Sequence, residues 1–239
     1  MDQRHSGSRW VPAIALALMS LATGPVTAQA QSPDFVPITD AMLQNPAPAD
    51  WLMWRRTLDG WGYSPLDQID RENVGELRMV WSRALTQGSN QGTPLVYAGV
   101  MYMPNPRDVI QAIDAVTGDL KWEHRRDLPD DLGDYLGGLV TTKRNIAIYA
   151  NLILDTTGDD YVQALDVATG DVVWERDIIS PVDSSPAVAG ELVYFALKEG
   201  RLLALDKETG ETVWEFNAGQ PIASSPAVID GVVYFGSDN

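Results

Sequence analysis

Three aspartates, Asp155, Asp159 and Asp160, flank Thr156-Thr157-Gly158. They offer the hard oxygen ligands that calcium takes, but not at the spacing of a calcium-binding loop, so a solvated hairpin turn is the preferred reading. Histidine occurs only at His5 and His124, and cysteine does not occur. So few histidines make a Ser-His-Asp hydrolase or a multi-histidine metal site a poor reading. The lack of cysteine excludes a disulfide framework, a cysteine zinc site, an iron–sulfur cluster, a covalently attached c-type haem and a thiol nucleophile. His124 follows a repeated tryptophan and reads as an exposed or hydrogen-bonded side chain, not a base. Gly133 to Gly138 does not match a nucleotide-binding fingerprint. Arg125 and Arg126 precede an acidic stretch from Asp127 to Asp134; they either pair with it or lie in a solvated loop, and the second is preferred.

The chain of 239 residues carries 33 acidic and 17 basic side chains, a formal charge of −16. Such a surface repels phosphate backbones, so nucleic acid is not an expected partner. An apolar content of 45% with 21% charged residues describes a folded chain. Residues 1–30 read as a secretory signal peptide: Arg4 and Arg9 precede the apolar run Val11 to Ala22, and Ala28-Gln29-Ala30 predicts cleavage after Ala30. The run is too short to cross a bilayer of about 30 Å as a helix, and no other segment approaches that length, so the expected product is exported, without a membrane span. Residues 31–50 are a proline-rich lead-in.

Residues 51–239 are organised by a repeat. Ala112-Ile-Asp-Ala-Val-Thr-Gly-Asp-Leu-Lys-Trp122, Ala164 to Trp174 and Ala204 to Trp214 all read A-x-D-x-x-T-G-x-x-x-W. Leu77-Arg-Met-Val-Trp81 closes a degenerate copy. The tryptophans recur about every 40–50 residues, the period of a propeller or repeat array. Ala-x-Asp ends one strand, Thr-Gly makes a turn in which glycine takes positive φ freely, and the residues up to Trp begin the return strand. The small alanine leaves room for the tryptophan of a neighbouring unit. Thr93 to Tyr102, Ser185 to Tyr194 and Ser225 to Tyr234 each read as strand, glycine-containing turn and strand. Together these give about four short antiparallel strands per unit, an all-β propeller blade. Asp127 to Leu139 is expected to form a longer connection. Ser64-Pro65-Leu66-Asp67 is a helix-start signature that predicts a short helix to about Leu77, and Asp40 to Leu43 a second one. Trp51 and Trp54 are expected to pack the lead-in against the blades. Three units are complete and a fourth begins after Trp214, so an incomplete ring, about four blades, is expected.

The chain resembles the pyrroloquinoline quinone (PQQ)-dependent alcohol dehydrogenases of the methanol and ethanol type. The residues that carry this are Trp51-Leu-Met-Trp54, Asp59-Gly-Trp-Gly-Tyr-Ser-Pro-Leu66, Glu72-Asn-Val74, Asn90-Gln-Gly-Thr-Pro-Leu-Val96, Gly99-Val-Met-Tyr-Met-Pro-Asn-Pro106 and Arg144-Asn-Ile-Ala-Ile-Tyr149. The resemblance implies an eight-bladed periplasmic propeller around PQQ and calcium, in which an aspartate base and the quinone oxidise a primary alcohol by hydride transfer. It implies cofactor contacts at Gln91, at Arg144 beside the quinone carboxylates, and at Ser184 or Ser185 in place of a threonine. Glu199 is the only candidate calcium ligand in its region, and the metal ligands stay unassigned. The family's adjacent cysteines are absent, with Asp134 to Gly138 in their place, and its catalytic aspartate would lie beyond residue 239, so no catalytic residue is assigned. The expectation is an inactive N-terminal part of such an enzyme. Without a haem motif, electrons would leave to a separate carrier. From Ser180 the repeats look like those of non-catalytic scaffold propellers such as outer-membrane assembly factors, which supplies the alternative function, a protein-binding module.

Overall fold

The computed structural model describes residues 35–129, 142–143, 146–182 and 184–238. The expected signal peptide, and Arg144 among the candidate site residues, lie outside them. Each repeat is a four-stranded antiparallel sheet. The first contains β2 (Leu95–Tyr97), β3 (Val100–Asn105), β4 (Val109–Asp114) and β5 (Leu120–Arg125), preceded in the chain by the short β1 (Ser89–Asn90). The second contains β7 (Ala147–Tyr149), β8 (Leu152–Thr156), β9 (Tyr161–Asp166) and β10 (Val172–Asp177), preceded by β6 (Thr142–Lys143). The third contains β11 (Ala187–Ala189), β12 (Leu192–Ala196), β13 (Arg201–Asp206) and β14 (Thr212–Asn217). A half-blade of β15 (Ala227–Ile229) and β16 (Val232–Tyr234) follows. Strand order within each sheet is sequence order, and the first strands of successive blades touch, β7 against β11 and β11 against β15. The first strands therefore line the hub.

The burial pattern explains why the repeat is apolar where it is. The third strands, β4, β9 and β13, are covered on both faces and read as nearly continuous apolar runs. The fourth strands, β5, β10 and β14, form the outer edges and are mostly exposed.

Each motif residue has a local task. The Asp114 carboxylate accepts the N–H groups of Val116 and Thr117, Asp166 those of Ala168 and Thr169, and Asp206 those of Glu208 and Thr209, at 2.9 to 3.1 Å. Thr117, Thr169 and Thr209 each accept the N–H two residues on. The glycine closes the turn at positive φ: +78° at Gly118, +77° at Gly170 and +70° at Gly210.

The tryptophans dock on these glycines, not on the alanines. Ala112, Ala164 and Ala204 pair across the sheet with the tryptophans of their own blades. The ring of Trp81 lies over Gly118, that of Trp122 over Gly170 and that of Trp174 over Gly210, so close that a Cβ there would fall 2.5 to 2.7 Å from ring carbons. Each indole N–H donates to the carbonyl three residues before the glycine: Trp81 to Ala115 at 3.2 Å, Trp122 to Val167 at 3.0 Å and Trp174 to Lys207 at 2.7 Å. The Trp122 and Trp174 contacts each join one blade to the next, and Trp81 joins the segment before the first blade to it. Side-chain bonding completes the first junction. Arg126 donates to both carboxylate oxygens of Asp159, at 2.6 and 2.9 Å, and to Glu175 at 2.9 Å, over the ring of Tyr161. Arg126 thus has partners on the next blade.

The helix expected from Ser64 to about Leu77 is not formed. Only a single 3-10 turn, Val74–Glu76, is present. Local side-chain bonds compete for the backbone there: Ser64 accepts from Leu66 N–H, and Asp70 and Asn73 accept each other's N–H groups at 2.9 Å. The other short helix is present as α1, Asp40–Gln44, with Thr39 as its N-cap. The lead-in crosses the hub at the end where the first strand of each blade turns into the second. Ile38 bridges to Ala150, Trp51 exchanges two main-chain bonds with Val96, and Tyr97 donates to Val36 O at 2.7 Å. Trp51 takes part in this packing, whereas Trp54 is 56% exposed and carries Arg55 stacked on its ring. Among the described residues no helix is long and apolar enough to cross a membrane.

Candidate cofactor site at the hub

Gln91 and Ser184, the described candidates, each lie where the chain approaches the first strand of a blade, at the opposite end of that strand from the lead-in. Gln91 stands four residues before Leu95, as Lys143 does before Ala147. Ser184 stands three residues before Ala187, as Arg144 does before Ala147 and Ser224 before Ala227. By sequence, Arg144 and Ser184 thus occupy one repeat position, and Gln91 the position before it.

Adjacent hub segments are bonded to each other. β1 pairs in parallel with β6, Ser89 beside Thr142 and Asn90 beside Lys143, and Gln91 N–H donates to Lys143 O at 2.9 Å. Ser185 N–H donates to the hydroxyl of Ser225 at 2.9 Å. Asn90 ties the first segment to its own blade, donating to Pro104 O at 2.7 Å.

The structure gives the two described candidates different means. Gln91 is exposed on its segment; its amide carries two N–H donors suited to an anion. Ser184 is buried, and its hydroxyl donates to Ala196 O at 3.0 Å. Ser224 makes the same bond to Gly236 O at 3.0 Å. In both blades the serine fastens the hub segment to the end of the second strand, and the Ser184 hydrogen is already committed.

A charged cluster that the sequence did not single out lies under Gln91. The Lys143 ammonium is buried, donates to Asp108 Oδ1 at 2.8 Å and Thr156 O at 3.0 Å, and forms an ion pair with Asp155 Oδ1 at 2.6 Å. Asp108 Oδ2 also accepts Gly158 N–H at 2.6 Å, and Asp155 Oδ2 accepts the Gln163 amide at 3.0 Å. Burial works against the Lys143 charge, but the attraction of Asp108 and Asp155 outweighs it and raises its pKa. Burial raises that of Asp155, against the pull of Lys143. The signal available in the sequence was the equivalence of Lys143 with Gln91 in the repeat.

The remaining candidates are tied up elsewhere. Glu199 pairs with Arg201, which also reaches Glu215 at 3.4 Å. Asp155 and Asp159 face cations of the chain itself. Among the described residues no three His, Asp or Glu side chains are gathered for a metal ion. His124 is half-buried, and burial lowers its pKa despite the Asp155 charge.

A family model described as glucose/ethanol/alcohol dehydrogenase, beta-propeller domain, matches residues 51–173, and one described as outer membrane protein assembly factor BamB matches residues 158–239. The dehydrogenase subunit of a quinone alcohol dehydrogenase from Gluconacetobacter polyoxogenes is 36% identical over 154 residues, covering 59% of this chain and 21% of that protein. The quinohemoprotein alcohol dehydrogenase ADH-IIG of Pseudomonas putida is 31% identical over 194 residues, covering 78% of this chain and 26% of that protein. The crystal structure of the quinohemoprotein alcohol dehydrogenase from Comamonas testosteroni matches with a TM-score of 0.65 at 27% identity, over 74% of this chain and 28% of that one. A europium-containing methanol dehydrogenase matches with a TM-score of 0.64 at 25% identity, over 74% of this chain and 33% of that one. The chain spans about a fifth to a quarter of the length of these curated relatives.

Proposed function

Since this chain belongs to the glucose/ethanol/alcohol dehydrogenase β-propeller family, we propose that its hub segments form part of the PQQ site of an exported alcohol dehydrogenase that oxidises a primary alcohol. The observation that carries this reading is the joining of the first two hub segments by the bond from Gln91 N–H to Lys143 O. When bound, PQQ would supply the hydride acceptor. Gln91 would donate its amide hydrogens to the anionic quinone, and Arg144, next after Lys143 in sequence, would set its guanidinium against a carboxylate. Ser184 would act by holding its hub segment in place. A net charge of −16 leaves an anionic cofactor dependent on such local donors. Calcium or a similar cation would accompany the quinone with ligands not assigned here, and electrons would pass to a separate carrier in the periplasm.

A second reading is a non-catalytic scaffold propeller. It is favoured by the assembly-factor match over residues 158–239 and by the serines at Ser184 and Ser224, whose hydrogens are directed to main-chain carbonyls. Calorimetric titration of the purified chain with PQQ, with and without calcium, separates the two. Saturable binding strengthened by calcium and weakened at least tenfold by Gln91→Leu is the expected result. A folded chain that takes up no quinone supports the scaffold.

A further inference from the structure

We propose that Lys143 is a positioning residue, which clamps the hub segment bearing Gln91 between the first and second blades; its bearing on cofactor binding rests on the PQQ reading above.

The clamp combines a position that is aspartate in two blades with two positions that are charged in the second blade and not in the first. The residue before each third strand has a positive φ: Asp108 at 51°, Asp160 at 66° and Gly200 at 98°. The third blade uses glycine there. Asp108 holds a left-handed conformation costly for a side chain and aims its carboxylate at Lys143 and Gly158 N–H. By register, Asp155 pairs with Gln163 as Met103 pairs with Gln111 and Phe195 with Leu203. A buried acid thus replaces an apolar side chain. Lys143 in turn stands where the first blade has the exposed Gln91. A buried charge at Lys143 or Asp155 alone would be unpaired, and together the two aspartates neutralise the ammonium while Asp108 and Thr156 O accept its hydrogens.

The clamp is placed to act on Gln91. The Lys143 side chain holds the first blade through Asp108 and the second through Asp155 and Thr156, while its own carbonyl receives Gln91 N–H. The Asn90 side chain anchors the same segment to the first blade. The third blade has Phe195 where the second has Asp155, so a buried acid at that place is not a general requirement for joining blades.

The test replaces the two aspartates by residues that their equivalents carry, Met103 and Gly200, and the lysine by an apolar side chain of similar length. Lys143→Met with Asp155→Met and Asp108→Gly keeps the left-handed turn and leaves no charge unpaired; buried ion clusters exchanged for apolar groups commonly preserve stability. Lys143→Met alone is the companion variant, expected to be less stable. Amide hydrogen exchange in the full chain, followed by nitrogen-15 NMR, reads the Gln91 N–H without any quinone. In the triple variant that amide is expected to exchange at least tenfold faster, with the amides of β9 unchanged, and PQQ affinity to fall at least tenfold. Equal exchange at Gln91 in wild type and triple variant overturns the clamp. Faster exchange with unaltered PQQ affinity overturns its bearing on the cofactor. Faster exchange in a chain whose wild type takes up no PQQ upholds the clamp and overturns the PQQ reading.

Discussion

Trp174 and Gly210 should behave as one contact split between two blades. The indole of Trp174 is 7% exposed, and its N–H donates to Lys207 O at 2.7 Å. Trp174→Ala therefore removes a buried aromatic, at about 3–5 kcal/mol. Gly210→Ala has two costs. The backbone at φ +70° disfavours a side chain by about 1–2 kcal/mol. The new Cβ would also lie 2.6 Å from Cε3 of Trp174, an overpacking of about 1–3 kcal/mol. Once the indole is gone, only the backbone cost remains. The double variant should thus be more stable than the sum of the single losses allows, by about 1–3 kcal/mol. Urea unfolding at fixed pH, with midpoint and slope measured for all four proteins, gives the coupling directly. Additivity within about 0.5 kcal/mol would show that ring and glycine do not meet, and the account of the blade junction would be wrong.

Two further outcomes are expected. His124 has its pKa lowered by burial, with Asp155 attracting and Arg126 repelling its charge, beside Gln163 and Gly170. Its contribution should be complete above the unfolded-state value of about 6.5 and be lost as pH falls through the lower folded value. Stability followed from pH 7.5 to 5 should decline more steeply in the wild type than in His124→Gln, and parallel curves would exclude the effect. Ser184→Ala should cost about 1–2 kcal/mol, because it leaves a carbonyl of a buried residue without its partner, whereas Ser224→Ala, on an exposed segment, should cost less than about 0.5 kcal/mol. Thermal midpoints of the two variants make the comparison, and equal shifts would contradict it.

What could be read from the sequence was what neighbouring residues settle among themselves. The aspartate, threonine and glycine of each repeat bond or turn within five residues, so their pattern announces the hairpin and, by repetition, the blades. What joins distant segments was not legible in this way. Arg126 has a run of acids directly after it, yet it pairs with Asp159 and Glu175 across a blade junction. Lys143 and Asp108 look ordinary in their own stretches, Asp155 reads there as part of a solvated turn, and only the stacking of the first two blades brings the three together. The docking surface for tryptophan was placed on alanine because alanine is small; glycine is smaller, and its turn projects toward the preceding blade. Ser64 failed as a helix start for a local reason, since its hydroxyl and the Asp70–Asn73 pair offer the backbone closer partners than a helical turn would.

The junctions have a consequence for how such a chain can change. Every blade carries a plug, its tryptophan, and a socket, its glycine turn with a carbonyl three residues earlier, and these fittings are interchangeable along the array. A duplication or loss of one whole period therefore creates no mismatched joint, and fittings of this kind carry no information about which blade follows which. The first junction is different, because it is also keyed by charges found nowhere else in the described blades: Lys143 between Asp108 and Asp155, and Arg126 between Asp159 and Glu175. The common joint lets the array grow, and the keyed one gives it an origin from which the other positions are counted.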